Sequence, residues 1–137
     1  MGEVRVRVHL ANIFDERRAR HGEIAKSDVR HYEADALVDT GAVRCIVPQF
    51  VVEQLGLEVA DRRGVEDADG RVEVVPVTEP ISMTILNRNE REDALVLGDE
   101  VLIGQTALEK MDLLVDCARK QVVPNPAHPD QPVNKVK

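Results

Sequence analysis

Val4, Val6, Val8 and Leu10 alternate with Arg5, Arg7 and His9. This period of two puts apolar side chains on one face of a strand and charged ones on the other. Residues 11–28 lose the alternation; they are polar and charged, with room for one helical turn around 15–20, and are expected to form an exposed insert. From 29 to 38 a strand pattern resumes and grows continuously apolar towards Ala36-Leu37-Val38, as a strand entering a core does. Pro48 suits the first turn of a helix and Gly56 its stop, which predicts a helix over 49–55 with Val51, Val52 and Leu55 on one face. Asp69-Gly70 in the polar stretch 66–70 is a hairpin signal. Strands are predicted at 71–77 and 81–86, parted by Glu79-Pro80 and followed by a polar turn at Asn87-Arg88-Asn89. Short buried strands follow at 94–97 and 101–103 around the turn Gly98-Asp99. Ala107, Leu108 and Met111 share the inner face of a second short helix, 106–111, and 113–115 with 121–123 can form a last hairpin. The Pro-rich tail 124–137 reads as extended, since proline neither sustains a helix nor joins a central strand.

At 137 residues the length prior gives one domain, spanning 1–137. The apolar content comes from Val, Leu, Ala and Ile while aromatics are only 2%, which favours strands in a compact barrel or sandwich over a helical bundle. The expectation is therefore mainly β: a closed or nearly closed β-barrel with two short helices. A net charge of −7 and the lack of an aromatic platform argue against nucleic acid as a partner. The basic run Arg17-Arg18-Ala19-Arg20 is flanked by Asp15, Glu16 and Glu23 and reads as a solvated, mixed-charge surface. No apolar run approaches the ~20 residues of a membrane span, and the N-terminus lacks a signal peptide's apolar core. A cytoplasmic protein with no membrane partner is the expectation. Cys45 and Cys117 are expected to be buried free thiols. Neither they nor the dispersed His9, His21, His31 and His128 show a metal-ligand spacing, so no metal and no cofactor is expected.

Candidate chemistry centres on Ala36-Leu37-Val38-Asp39-Thr40-Gly41-Ala42. A buried strand here ends in a carboxylate, a hydroxyl and a glycine that lets the backbone turn and approach another group. That is how a reactive acid would be presented; it also describes an ordinary strand exit whose Asp caps a turn. Peptide hydrolysis without a metal or a nucleophilic side chain needs one group to activate water and another to polarise the carbonyl. Two carboxylates sharing one proton do both, because close like charges cannot both ionise. None of the other eleven aspartates is followed by Thr-Gly or Ser-Gly, so if that chemistry operates here the second acid has to come from another chain. The two serines, Ser27 and Ser82, lie outside any nucleophile elbow, and Cys45 has no nearby His in sequence to act as a base for a cysteine hydrolase.

The surroundings of Asp39 resemble the retropepsin-like aspartic proteases, in which each subunit supplies one Asp-Thr-Gly. The likeness takes in the apolar run before the motif, Ala42 after it, Ile46-Val47-Pro48, the helix-like Phe50 to Leu55 ending in Leu55-Gly56-Leu57, and the hairpin Ala68-Asp69-Gly70-Arg71. It continues through the second apolar-to-glycine element Val101-Leu102-Ile103-Gly104 to the strand Leu113-Leu114-Val115-Asp116. It covers roughly residues 29–124 and is closest to the small bacterial single-domain members. The resemblance implies a closed retropepsin-like barrel with one Asp-Thr-Gly loop per chain, and a homodimeric aspartic endopeptidase acting on peptide or protein substrates. It implies catalytic roles for Asp39, Thr40 and Gly41, with Thr40 bonding across the two-fold axis. Ala42 would line the substrate site, and the hairpin of Asp69 and Gly70 would close over it. Two departures bear on this: Val43-Arg44-Cys45 stands where viral members have small polar or acidic residues, and the hairpin tip has the single glycine Gly70. A non-catalytic peptide-binding or dimerisation module with the same barrel is the alternative.

Overall fold

The computed structural model describes residues 2–136. Eleven strands and three helices follow one another: β1 (Val4–Asn12), α1 (Ile13–Arg20), a 3₁₀ turn (Lys26–Asp28), β2 (His31–Val38), β3 (Cys45–Val47), α2 (Gln49–Leu55), β4 (Val59–Glu66), β5 (Val72–Thr78), β6 (Ile81–Ile85), β7 (Arg88–Glu92), β8 (Ala94–Val96), β9 (Leu102–Ile103), α3 (Gln105–Met111), β10 (Leu113–Asp116) and β11 (Gln121–Pro124). Nine strands make one sheet in the order β4-β5-β8-β3-β9-β2-β1-β6-β7, and β10 with β11 makes a separate hairpin. No helix among the described residues is long and apolar enough to cross a membrane.

The alternation in β1 does what its period requires. Val8 and Leu10 are fully buried, and β1 pairs along its length with β2, from Val4↔Val38 to Ala11↔His31. Both halves of the sheet feed one apolar core, which α2 closes with Val51 and Leu55 and α3 closes with Ala107, Leu108 and Met111. Burying each Leu or Met side chain of this kind contributes about 1.5–3 kcal/mol. Gly56 ends α2 in the left-handed conformation at φ 63°, the backbone state that costs glycine nothing.

Two features of the expected barrel are corrected. The sheet does not close: β4 and β7 lie at opposite ends of the strand order and do not pair. The reason is that β5 joins β8 at only one position, Val77↔Leu95, while the rest of the β4–β5 hairpin runs out past the sheet with most residues exposed. The described residues also hold three α-helices rather than two, because the expected exposed insert contains α1. Asn12 caps α1 by accepting the amides of Phe14 and Asp15, both at 2.9 Å, and its own amide reaches Leu55 O at 2.8 Å. Acidic residues in the first turn and arginines in the last complement the helix dipole. Asp15 is buried and holds Arg30 through Nε at 2.7 Å and Nη2 at 2.9 Å. The polar turn expected at 87–89 is itself corrected: Arg88 and Asn89 belong to β7, and the loop is Leu86-Asn87, both at positive φ (49° and 66°). Positive φ at both positions of a two-residue loop is the turn that matches strand twist.

Candidate active site

Asp39 is placed by backbone bonds rather than by side-chain partners. The end of β2 runs parallel to β9, pairing Leu37 with Leu102 and Val38 with Ile103. Leu37 N donates to Val101 O and Asp39 N to Ile103 O, both at 3.0 Å. The chain then turns, with Ala42 N donating to Asp39 O at 3.2 Å and Gly41 N to Asp39 Oδ1 at 2.9 Å. A Cβ on Gly41 would sit 3.2 Å from that same carboxylate oxygen, so glycine gives the carboxylate room to lie against the turn.

The start of α3 clamps the far side of the loop. Gln105 N donates to Ala42 O at 2.7 Å and Thr106 N to Val43 O at 3.3 Å. Gly104, the residue before α3, lies so close that an added Cβ would be 2.6 Å from Arg44 O and 2.9 Å from Ala42 O. The second apolar-to-glycine element therefore supports the first by direct backbone contact.

Asp39, Thr40 and Gly41 are all exposed in the single chain. A small cavity of about 240 Å³ joins Asp39 and Thr40 to Val4, Val115, Cys117 and Lys120, so the loop adjoins the first strand and the β10–β11 hairpin. A larger cleft of about 670 Å³ begins at Ala42 and runs between the loop and the β4–β5 hairpin. Its floor is a small apolar cluster in which Ile46, Val65 and Leu97 pack on Val75, Val77 and Leu95. Arg44 lies at its edge, bonded to Asp93 Oδ1 at 3.0 Å.

The structure thus brings Ala42 to the cleft but separates the remaining sequence-derived candidates. Asp39 and Thr40 line the smaller cavity instead. Asp69 and Gly70 form the exposed hairpin tip, where Asp67 Oδ1 accepts the amides of Asp69 at 2.9 Å and Arg71 at 3.0 Å. Neither Asp69 nor Gly70 is among the cleft walls, which the hairpin supplies through residues such as Asp67, Arg71 and Val72. Gly70 sits at φ 81° with open space where a side chain would go, so the backbone alone calls for glycine there.

Sequence reasoning missed Val65 as a cleft residue because the charged run Asp61-Arg62-Arg63 hid the β4 strand; its signal is the pairing of Val65 opposite Glu73 in the hairpin. Cys45 is buried, burial pushes its thiol up to about 11, and its Sγ accepts Gly104 N at 3.4 Å. That is the wrong direction for a nucleophile, whose active form is the thiolate. Cys117, expected to be buried, is exposed. His9 and His31 are not dispersed: the β1–β2 register stacks their rings with centroids 5.4 Å apart, beside Glu33.

A family model described as gag-polyprotein putative aspartyl protease matches residues 25–110, well over half of the chain. No curated protein matches significantly. Among solved structures, the retroviral protease-like domain of Ddi1 from Leishmania major superposes with a TM-score of 0.55 at 15% identity, covering 92% of this chain and 90% of that one. A retropepsin-like aspartic protease from Rickettsia conorii gives 0.47 at 15% identity over 84% and 85% of the two chains. EIAV protease complexed with the inhibitor HBY-793 gives 0.47 at 18% identity over 56% and 75%. With the family model spanning the Asp39 loop, the cleft and all but the last residue of α3, the chain belongs to this aspartyl protease family and carries a retropepsin-like fold.

Proposed function

We propose that the 137 residues form one domain that acts as a homodimeric aspartic endopeptidase. The observation that carries this reading is Asp39 itself: a carboxylate left open to solvent on a loop whose backbone is pinned by the β9 ladder and the start of α3, with a cleft of about 670 Å³ beginning three residues later at Ala42. In the dimer, two copies of Asp39 flank one water. The ionised carboxylate takes a proton as that water attacks the peptide carbonyl carbon, and the protonated one gives its proton to the carbonyl oxygen. Collapse of the resulting diol breaks the C–N bond, with the leaving nitrogen taking a proton from the pair. Thr40 ties the two loops across the axis, Gly41 lets the backbone approach the substrate, Ala42 lines the site, and the Asp69-Gly70 hairpin closes over the peptide. The separate β10–β11 hairpin beside Asp39 supplies unpaired strand edges for an isologous interface.

The test is cleavage of a peptide library by wild type and Asp39→Asn across pH, with sedimentation on the same samples. Loss of at least about 10²–10⁴-fold in the variant, with the dimer intact, supports the reading. Equal cleavage by both, or activity from a monomer, refutes it. An intact dimer with no cleavage in either supports a non-catalytic peptide-binding module, which the glycine-poor hairpin tip and Arg44 at the cleft edge favour.

A further inference from the structure

His9, His31 and Glu33 converge on the face of the β1–β2 ladder that points away from the core. His9 stands directly opposite Glu33, and His31 lies two positions along β2, diagonal to His9 on the same face. That placement puts Cβ atoms within about 4.5–8 Å of one another. One ligand-type atom from each residue lies within 4.8 Å of the others. His9 Nδ1 already bonds Glu33 Oε1. The imidazoles also wall a recess of about 580 Å³ whose other side is α1 and the segment after it.

We propose that His9, His31 and Glu33 bind one zinc-class divalent ion that ties the start of β2 to β1 beneath α1. Two imidazole nitrogens and a carboxylate oxygen suit zinc, at bonds of about 2.0–2.2 Å, and leave a position for water. A tetrahedral ion of that size spaces its ligand atoms about 3.3 Å apart, so side-chain rotation of roughly an ångström closes the site. Magnesium and calcium prefer sets made only of oxygen atoms, so they are poor occupants. Neighbouring charge falls on both sides. Arg7 Nε lies 3.7 Å from Glu33 Oε2, and Arg20 and Lys26 line the recess, whereas Glu16 faces it from α1. The ion stabilises rather than catalyses: Glu33 precedes Asp39 by six residues of extended chain, about 20 Å away.

Calorimetric titration of the untagged full chain with zinc chloride, with magnesium chloride as control, tests the proposal. One zinc per chain is expected, at least tenfold weaker in both His31→Ala and Glu33→Gln and unchanged in His21→Ala and Cys117→Ser. Zinc should also raise the thermal midpoint of wild type but not of the two triad variants. Both triad positions are exposed, so circular dichroism should show an intact fold; Glu33→Gln preserves shape should His31→Ala fail. Wild-type affinity in both triad variants, loss confined to the His21 or Cys117 variants, or no binding under zinc excess overturns it.

Discussion

Gly104→Ala tests whether the second apolar-to-glycine element holds the Asp39 loop in place. Gly104 has φ −92° and ψ 174°, extended backbone that alanine adopts without strain, so the effect is purely steric. The new Cβ would stand 2.6 Å from Arg44 O, 2.7 Å from Arg44 C and 2.9 Å from Ala42 O. An ordinary carbon–oxygen contact is about 3.3–3.6 Å, so one backbone must retreat by roughly 0.7–1 Å. Neither side yields easily. On one side the first turn of α3 is anchored by fully buried Ala107; on the other the chain runs at once into buried Cys45 and β3.

Overpacking of this kind costs about 1–3 kcal/mol. For a chain of this length each kcal/mol lowers the melting temperature by roughly 3–5 °C, which gives about 3–15 °C at fixed protein concentration. The displacement also falls on the bonds from Gln105 and Thr106 that clamp Ala42 and Val43. Peptidase turnover should therefore fall well beyond what the unfolded fraction explains. Differential scanning calorimetry and cleavage assays well below the melting transition separate the two effects. Gly22→Ala, outside the site, is the control: it meets no atom within 4 Å but sits at φ 74°, and so costs only about 1–2 kcal/mol of conformational strain. A Gly104→Ala variant as stable and as active as wild type would refute the coupling.

Native protein should leave Cys45 unlabelled by a thiol reagent and become labelled there only once unfolded, because Cys45 is buried with its thiol pushed up to about 11; mass spectrometry of labelled peptides reads this. Asn12→Ala should cost about 1–3 kcal/mol in urea unfolding, since it removes the cap of α1 and leaves Leu55 O without its donor. The Arg30 hydrogen bonds hold the Asp15 carboxyl below its ordinary value. Its stabilisation is then complete above the unfolded value of about 3.9 and is lost as pH falls through the lower folded value, so the stability gap to Asp15→Asn should close in acid. The C-terminal tail is strapped to Asp112, whose carboxylate accepts Asn125 Nδ2 at 2.9 Å and Val133 N at 3.0 Å, with His128 Nδ1 at 2.6 Å, and is held down to about 2. Asp112→Asn should free the tail for protease nicking at neutral pH, whereas in wild type the strap should persist until the pH falls towards 2.

The parts of the fold legible in the sequence are those whose pattern is local. Val4 to Leu10 alternates because one face of β1 meets the core, and the two expected helices match α2 and α3 because Gly56 and the spacing of Ala107, Leu108 and Met111 mark them. Where tertiary partners decide, the pattern is silent. The first helix has little apolar periodicity; Asn12 reaching Leu55 O and Asp15 gripping Arg30 hold it, across 43 and 15 residues. The outer strands β4 and β7 show no apolar alternation because one runs past the sheet and the other lies at its edge. The same limit applies at the site. The strand, acid and glycine around Asp39 can be read in sequence; the clamp from Gln105, the cleft floor at Val65 and the meeting of His9 with His31 arise only from register.

The Asp39 loop is rigid in its backbone and open at its carboxylate. Its backbone is fixed from three directions, by the β9 ladder, by its own turn and by the start of α3, yet the carboxylate faces solvent. A turn needed only to leave a strand would not require a neighbouring element so close that glycine alone fits at 104. Catalysis through a paired acid does require it, because the two carboxylates must meet within a few tenths of an ångström and neither loop can afford to drift. On the proposed reading the single chain is a rigid half-site whose electrostatics are supplied by association. Two exposed acids become one proton-sharing pair only when the surface formed by Val4, Val115 and the Asp39 loop is covered by its own copy. Activity should then rise with the square of protein concentration at dilution below the dimer constant, and a tethered tandem dimer should abolish that dependence. A rate strictly proportional to concentration over a range in which sedimentation shows dissociation would exclude the shared site.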